Sequence, residues 1–271
     1  MSKRTVLVIA AIVAVASGSV RAGLNEWTNA GLYGGDAYFV TYNPATETVY
    51  SGNRAQGFLR RGVNDPAWQA ETANEEISIV TVIVDPFDPA TLYRVDGDEL
   101  VLKSTDGGDS WVPSASGIPP ASSVGAIAAS AGVQGLLYAG GLAGGMWKST
   151  DGAASWSPAG TLGGAIGATV TVVAVHPTDP DTVFAASNDG VFFTDDGGAT
   201  WTPRGAGLQP YGIAEILFDP NDPSRVYLAS EWDGFNVADN LAFSGWTFKS
   251  TGSNSGRSLA VAPTTPTTVY Y

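Results

Sequence analysis

The residues best suited to chemistry are acidic, and two of them flank a tryptophan in the segment Ser-Glu-Trp-Asp-Gly. Glu231, Trp232 and Asp233 place an aromatic surface between two carboxylates that can accept hydrogen bonds, which suits the binding of a sugar ring. Hydrolysis of a glycosidic bond also needs two carboxyl groups, at a separation of roughly 5 to 10 Å. A loop tryptophan that packs on its own strands has the same sequence. Ligand binding, catalysis and simple packing are therefore all open for this segment.

A third acid, Glu215, lies in the apolar segment Ile-Ala-Glu-Ile-Leu-Phe. A carboxylate among apolar residues costs free energy unless it is hydrated or paired, and burial raises the pKa of a carboxyl group toward the range of a general acid. Glu215 is therefore a candidate catalytic acid or ligand contact. The simpler alternative is that it lines a water-filled channel.

The chain has one histidine and no cysteine. Disulfides, thiolate metal sites and a lipid anchor on an N-terminal cysteine are therefore excluded. The histidine, His176, falls in the segment Val-His-Pro-Thr-Asp-Pro, where related segments carry Asp or Asn, so a role in a turn is favoured over catalysis or zinc binding. We expect neither a metal nor a cofactor.

Residues 1–22 have the pattern of a secretory signal peptide. Two basic residues precede an apolar run over residues 6–16, and small residues lead to a cleavage site after Ala22. The run is short for a membrane-spanning helix. We expect residues 23–271 to form the mature protein, secreted or periplasmic and without a stable membrane anchor.

The charge balance is strongly acidic. The formal net charge is −13, and removal of residues 1–22 takes away three basic residues and no acid, which brings it to −16. A surface of this sign repels phosphate groups, so nucleic acid and anionic membranes are poor partners.

Three copies of one motif organise the chain: KSTDGGDSWVP, KSTDGAASWSP and FTDDGGATWTP. In each, an Asp carboxylate can accept backbone N–H groups, small residues at the next two positions favour a tight turn, and a tryptophan closes over the turn. We call residues 104–111, 149–156 and 194–201 the Asp-Gly turns. Their defining residues are Ser104, Asp106, Gly108, Trp111, Ser149, Asp151, Trp156, Thr194, Asp196, Gly198 and Trp201.

The closing tryptophans set a period. Tryptophans at positions 68, 111, 156, 201 and 246 lie 43, 45, 45 and 45 residues apart. A period in the forties with several short strands per repeat predicts an all-β fold, the β-propeller, in which each repeat is one four-stranded blade. We expect five complete blades.

The two ends of the chain predict a sixth, incomplete blade. Residues 258–271 match only the first and second strands of a repeat, whereas residues 26–32 match the fourth. An N-terminal strand that completes the last blade would close the ring and hide its edges. Because a third strand is missing, we interpret the chain as C-terminally truncated.

The Asp-Gly turns resemble the Asp-box, or bacterial neuraminidase repeat, with the motif Ser-x-Asp-x-Gly-x-Ser/Thr-Trp. That group includes sialidases, xyloglucan-cleaving glycoside hydrolases, sortilin-type receptors and photosystem II assembly factors, so the resemblance is specific for fold and not for function. It implies that the Asp-box turns are structural and face away from the ligand. The candidate ligand contacts on the opposite face are Glu75, Glu76, Asp96, Tyr211 and Trp232, and the candidate catalytic acids are Glu215, Glu231 and Asp233.

Three functions follow from this resemblance. The first is a secreted scaffold that binds a protein or a carbohydrate on its loops. The alternative is a hydrolase of neutral polysaccharide, similar to the xyloglucan-cleaving enzymes, and a photosystem assembly factor is disfavoured because those relatives carry a basic patch. A sialidase is excluded, since the chain has no Arg-Ile-Pro segment and its arginines fall mostly in loops.

Overall fold

The computed structural model describes residues 37–53, 57–70, 79–96, 101–141, 145–162, 169–209, 212–242, 245–249, 258–262, 264 and 267–270. These residues form short β-strands and one 3₁₀ turn, Pro120–Ser122. The predicted signal peptide and the predicted closing strand at residues 26–32 lie outside the described residues.

Five four-stranded antiparallel sheets follow one another along the chain, each with its strands in sequence order. The first has β1 (Ala37–Asn43), β2 (Thr48–Asn53), β3 (Gly57–Gly62) and β4 (Gln69–Ala70). The second has β5 (Thr81–Val84), β6 (Leu92–Val95), β7 (Val101–Ser104) and β8 (Val112–Pro113). The third has β9 (Val124–Ala129), β10 (Leu137–Gly141), β11 (Gly145–Ser149) and β12 (Ser157–Thr161).

The last two complete sheets repeat this order. The fourth has β13 (Val170–Val175), β14 (Val183–Ser187), β15 (Gly190–Thr194) and β16 (Thr202–Pro203). The fifth has β17 (Ile213–Phe218), β18 (Val226–Ser230), β19 (Gly234–Ala238) and β20 (Thr247–Phe248). A sixth, two-stranded sheet has β21 (Ala260–Ala262) and β22 (Thr268–Tyr270).

The sheets are the blades of a β-propeller. The first strands of consecutive blades, β1, β5, β9, β13 and β17, contact one another and therefore form the inner wall. The sixth sheet packs on the fifth blade through Leu259, Val261 and Val269. The predicted all-β propeller with five complete blades is confirmed.

The up-and-down strand order divides the connections between two faces. Loops that join second to third strands, and the fourth strand of one blade to the first of the next, lie at one end of the blades, which we call the loop face. The turns between first and second strands lie at the other end, together with the Asp-Gly turns. Backbone hydrogen bonds confirm that these two sets of turns lie at the same end, since Gly152 N–H donates to Gly135 O at 2.9 Å and Gly197 N–H to Asp181 O at 3.0 Å.

The core lies between the blades. The second strands β6, β10, β14 and β18 are buried at every position, whereas the first strands mix buried and half-buried positions. The difference has a physical reason, because an inner strand presents one edge to the central channel while a second strand is sandwiched by the neighbouring blades.

Candidate functional site

The segment Glu231-Trp232-Asp233 forms the tight loop between β18 and β19 on the loop face. Ser230 pairs with Gly234 across this loop, and Ser230 Oγ accepts the N–H groups of Trp232 and Asp233 at 3.2 and 3.1 Å. The Trp232 side chain is 58% exposed. The base of the loop is therefore fixed by hydrogen bonds while the indole faces solvent.

Gly212, just before β17 of the same blade, approaches the Cδ1–Nε1 edge of this indole. It has a φ of +79°, and a Cβ placed on it would lie 2.5 Å from Trp232 Cδ1 and 2.8 Å from Nε1. Glu231 N–H donates to Gly212 O at 2.7 Å. Glycine is required both for the positive φ and for this close approach, so the backbone at Gly212 contacts one edge of the indole.

Asp233 braces the same site from the side. Its Oδ2 accepts the backbone N–H of Gln209 at 2.7 Å, and its main-chain oxygen accepts Asn236 Nδ2 at 2.9 Å. The Gln209 contact ties the loop between two blades to the loop within the fifth blade. One carboxylate oxygen of Asp233 is thus used to position the loop.

Glu215 lies on β17 opposite Ala229, and its carboxylate reaches the sixth sheet. Glu215 Oε2 accepts the N–H of Leu259 and the hydroxyl of Ser258, the latter at 3.2 Å. Burial raises the pKa of Glu215, and the Leu259 and Ser258 hydrogen bonds oppose that shift. The carboxyl group therefore bridges the fifth blade and the strand that follows.

The remaining candidates are dispersed. Asp96 is buried at the end of β6, with Oδ2 3.7 Å from Arg94 Nη2, and the Arg94 guanidinium lies 4.6 Å from the Trp111 ring centroid. Glu75, Glu76 and Tyr211 lie outside the described residues. Of the candidate set, the structure brings Glu231, Trp232 and Asp233 together on one loop.

The three Asp-Gly turns share one hydrogen-bond pattern. In residues 104–111, Asp106 Oδ1 accepts Ser104 Oγ at 2.7 Å and Ser110 N–H at 2.9 Å, and Asp106 Oδ2 accepts Ser110 Oγ. Ser104 Oγ in turn accepts Gly108 N–H at 2.8 Å. The same four bonds recur in residues 149–156 and 194–201. Each carboxylate therefore serves the turn in which it lies.

These bonds stabilise the ionised acids. The Ser110 hydroxyl, followed by that of Ser104, lowers the pKa of Asp106 to about 2. Asp151 and Asp196 have a pKa of about 2 for the same reason. Hydrogen bonds to the charged form are the cause, so all three carboxylates are ionised at neutral pH.

Three of the closing tryptophans also link neighbouring blades, which the sequence did not predict. Trp156 Nε1 donates to Ser114 O at 2.8 Å, Trp201 Nε1 to Ala159 O at 2.9 Å and Trp246 Nε1 to Arg204 O at 2.6 Å. Each acceptor lies 42 residues earlier, just past the fourth strand of the preceding blade or within it. Trp246 keeps this contact although its repeat has lost the Asp-Gly motif.

The turns after the five first strands are closed in the same way by four residue types. Asn43 Oδ1, Asp85 Oδ1, Ser130 Oγ, His176 Nδ1 and Asp219 Oδ1 each accept the backbone N–H groups two and three residues ahead. Burial lowers the pKa of His176, which favours the neutral ring that this acceptor role needs. His176 therefore lies in a turn on the face opposite the loops.

The described residues contain no group of three or more His, Cys, Asp or Glu side chains placed to hold a metal ion. Within the same residues, no helix is long and apolar enough to cross a membrane.

Comparison with known proteins gives matches by structure only. No protein-family profile matches the sequence, and no curated protein sequence matches it. An ancestral GH74 enzyme is similar with a TM-score of 0.68 and 20% identity, over 85% of this chain and 33% of that one. The GH74 xyloglucanase from Xanthomonas campestris gives 0.61 and 17%, over 80% and 37%. YCF48 from Cyanidioschyzon merolae gives 0.50 and 16%, over 70% and 60%.

What these proteins share with the chain is the propeller fold. The chain spans about a third of the length of the two GH74 structures. Their identities, at 20% and 17%, are too low to transfer a site residue by residue, and function has to be argued from the geometry.

Proposed function

We propose that the protein is a secreted Asp-box β-propeller that binds a neutral carbohydrate on its loop face and acts as a binding scaffold. The observation that carries this proposal is the indole of Trp232, which is 58% exposed and contacts Gly212 through its Cδ1–Nε1 edge. An exposed aromatic ring whose edge already contacts the backbone loses less conformational entropy on binding a ligand than an unpacked side chain does. Flat stacking on such a face suits a sugar ring flanked by hydrogen-bonding groups.

The hydrogen bonds of the candidate acids support binding over hydrolysis. Asp233 Oδ2 accepts a backbone N–H from Gln209, and Glu215 Oε2 accepts one from Leu259. A glycoside hydrolase needs one carboxyl group that gives and one that takes a proton at the scissile bond. In two of the three candidate acids, one carboxylate oxygen instead accepts a backbone N–H and so positions the backbone.

The net charge of −13 favours a neutral ligand over an anionic one. Hydrolysis of neutral polysaccharide is the second candidate function, favoured by the adjacency of Glu231 and Asp233 on the exposed loop. In both cases the ligand lies on the loop face. The three Asp-Gly turns lie at the other end of the blades and are assigned to stability.

Binding and turnover are separated by one experiment on the full chain. Isothermal titration with a soluble neutral β-glucan oligosaccharide should give binding that Trp232→Ala abolishes and Phe248→Ala retains, since Phe248 is a comparably exposed aromatic on an outer strand. Chromatography of the same mixture should show an unchanged oligosaccharide. Shortened products that disappear in Glu231→Gln or Asp233→Asn would assign the hydrolase instead.

A further inference from the structure

A groove opens between the first and second blades, at the end of the blades opposite the loop face. It has a volume of about 490 Å³, and its lining includes Tyr50, Arg60, Asp65, Gln69, Asp106 and Gly107. Asp106 and Gly107 belong to the Asp-Gly turn of the second blade. The groove therefore lies where the first blade meets that turn.

The next interface shows what the corresponding space holds. Between the second and third blades, Lys103 Nζ lies 5.5 Å from the ring centroid of Tyr93 and donates to Gly152 O at 2.9 Å. Gly152 occupies the place in its turn that Gly107 has in the second blade. A Cβ on Gly152 would lie 3.2 Å from Lys103 Nζ, so an ammonium group fills this position.

The third interface repeats the arrangement. Lys148 Nζ lies 5.2 Å from the ring centroid of Tyr138 and 3.2 Å from Asp181 Oδ1. A Cβ on Gly197, the matching glycine, would lie 2.8 Å from that Nζ. In two successive interfaces, an aromatic ring, a turn glycine and an oxygen acceptor thus surround a primary ammonium group.

The first interface has the same surroundings with the ammonium position open. Tyr50 faces Arg60 across the β2–β3 pair as Tyr93 faces Lys103. The Arg60 guanidinium instead forms a 2.6 Å ion pair with Asp109. A Cβ on Gly107 would meet no described atom within 4 Å, which is why the groove exists here.

The charge of the groove favours a cation. Asp65 and Asp106 both line it, and serine hydroxyls hold the pKa of Asp106 at about 2, so that carboxylate is ionised at neutral pH. Arg60 also lines the groove, and its guanidinium forms an ion pair with Asp109. The net charge of −13 adds to this field.

We propose that this groove binds a primary ammonium group on an alkyl chain, at the position that Lys103 and Lys148 fill in the next two interfaces. The Gly107 carbonyl and the Asp65 and Asp106 carboxylates accept its hydrogen bonds, with Tyr50 at the base. The same chemistry is offered by a lysine side chain of a partner protein and by a free alkyl amine. The site lies at the end of the blades opposite Trp232 and does not depend on the carbohydrate proposal.

The test uses NMR titration of the full chain, with the Gly107 amide signal as the reporter. The probes are Nα-acetyl-lysine methylamide, which represents a protein side chain, and 1,5-diaminopentane, which represents a free amine. Nα-acetyl-norleucine methylamide is the uncharged control. Either amine should shift the Gly107 signal and the norleucine probe should not. The amine with the lower dissociation constant indicates whether the ligand is a protein lysine or a free amine.

Gln69 provides a matched pair of variants, because it is an exposed residue of β4 that lines the groove. Gln69→Lys should weaken amine binding about fivefold and Gln69→Glu should strengthen it by a similar factor, the size of an exposed ion pair. Both variants should keep the unfolding temperature of the parent. Equal binding of the norleucine probe, no binding of either amine, or identical affinities in the two variants would overturn the proposal.

Discussion

Replacing Trp201 by Phe removes the donor of one inter-blade hydrogen bond and keeps an aromatic ring. Trp201 Nε1 donates to Ala159 O at 2.9 Å, and Ala159 is buried, so that carbonyl would lose its partner away from water. An unsatisfied buried acceptor costs about 1–3 kcal/mol. For a domain of this size, that loss lowers the unfolding temperature by about 2–12 °C.

Trp111→Phe is the matched control. Trp111 also ends an Asp-Gly turn and is also half-buried, but no described oxygen accepts its buried Nε1–H. Both variants lose similar ring volume and keep an aromatic ring, which in Trp111→Phe can still face the Arg94 guanidinium, so their difference mainly reports the hydrogen bond. Urea unfolding followed by far-UV circular dichroism should show Trp201→Phe less stable than Trp111→Phe by about 1–3 kcal/mol. Equal losses, or a larger loss for Trp111→Phe, would refute the inter-blade role.

Three further outcomes follow from the titratable groups. Burial raises the pKa of Glu215 in the fold, so its contribution to the free energy of unfolding is complete below its usual pKa and falls as pH rises. In urea unfolding, the stability of Glu215→Gln relative to the parent should therefore be higher at pH 7 than at pH 4. The opposite trend would contradict the assignment. Ser110→Ala removes the largest cause of the low Asp106 pKa, so a carboxyl-carbon NMR titration should place that pKa above about 2, and an unchanged value would show another cause. His176→Asn should stay within about 1 kcal/mol of the parent in thermal unfolding because Asn43 closes the same turn, whereas His176→Ala should lose about 1–3 kcal/mol, and equal losses would exclude the acceptor role.

The propeller could be predicted from the sequence because each repeat is marked by a tryptophan, a rare residue that is easy to align. Four tryptophans spaced 45 residues apart precede the fourth strands of four blades, and strand-sized apolar segments fit between them. The same repeat explains why the sixth sheet was foreseen as incomplete. A period in sequence becomes a period in space when each unit must bury its faces against the next.

The contacts between blades could not be predicted in the same way. The acceptor of Trp201 is a backbone carbonyl at Ala159, and a donor to Glu215 is the backbone N–H of Leu259. Backbone groups exist at every residue and leave no signal in the sequence. The shared role of turn acceptors such as His176 and Ser130 could not be recognised from the sequence for another reason. Four residue types present an acceptor at the same place in the five turns.

The candidate site was predictable in composition and not in geometry. Glu231, Trp232 and Asp233 are adjacent in the sequence, but the contact between Trp232 and Gly212 depends on a positive φ at a residue 20 positions away. Likewise, the bond from Gln209 to Asp233 joins two loops that only the blade order brings together. These two contacts fix where the loop that carries Trp232 lies, and the sequence shows neither of them.

The central claim is that Trp232 forms a carbohydrate platform that binds without cleaving. Affinity electrophoresis of the full chain through gels containing soluble neutral β-glucan measures this directly, with Phe248→Ala as the control for loss of an exposed aromatic. The parent and Phe248→Ala should be retarded in proportion to the polymer concentration, Trp232→Ala should migrate as in a polymer-free gel, and the polymer recovered from the gel should keep its length. Equal migration of the parent with and without polymer, or a shortened polymer, would contradict the claim.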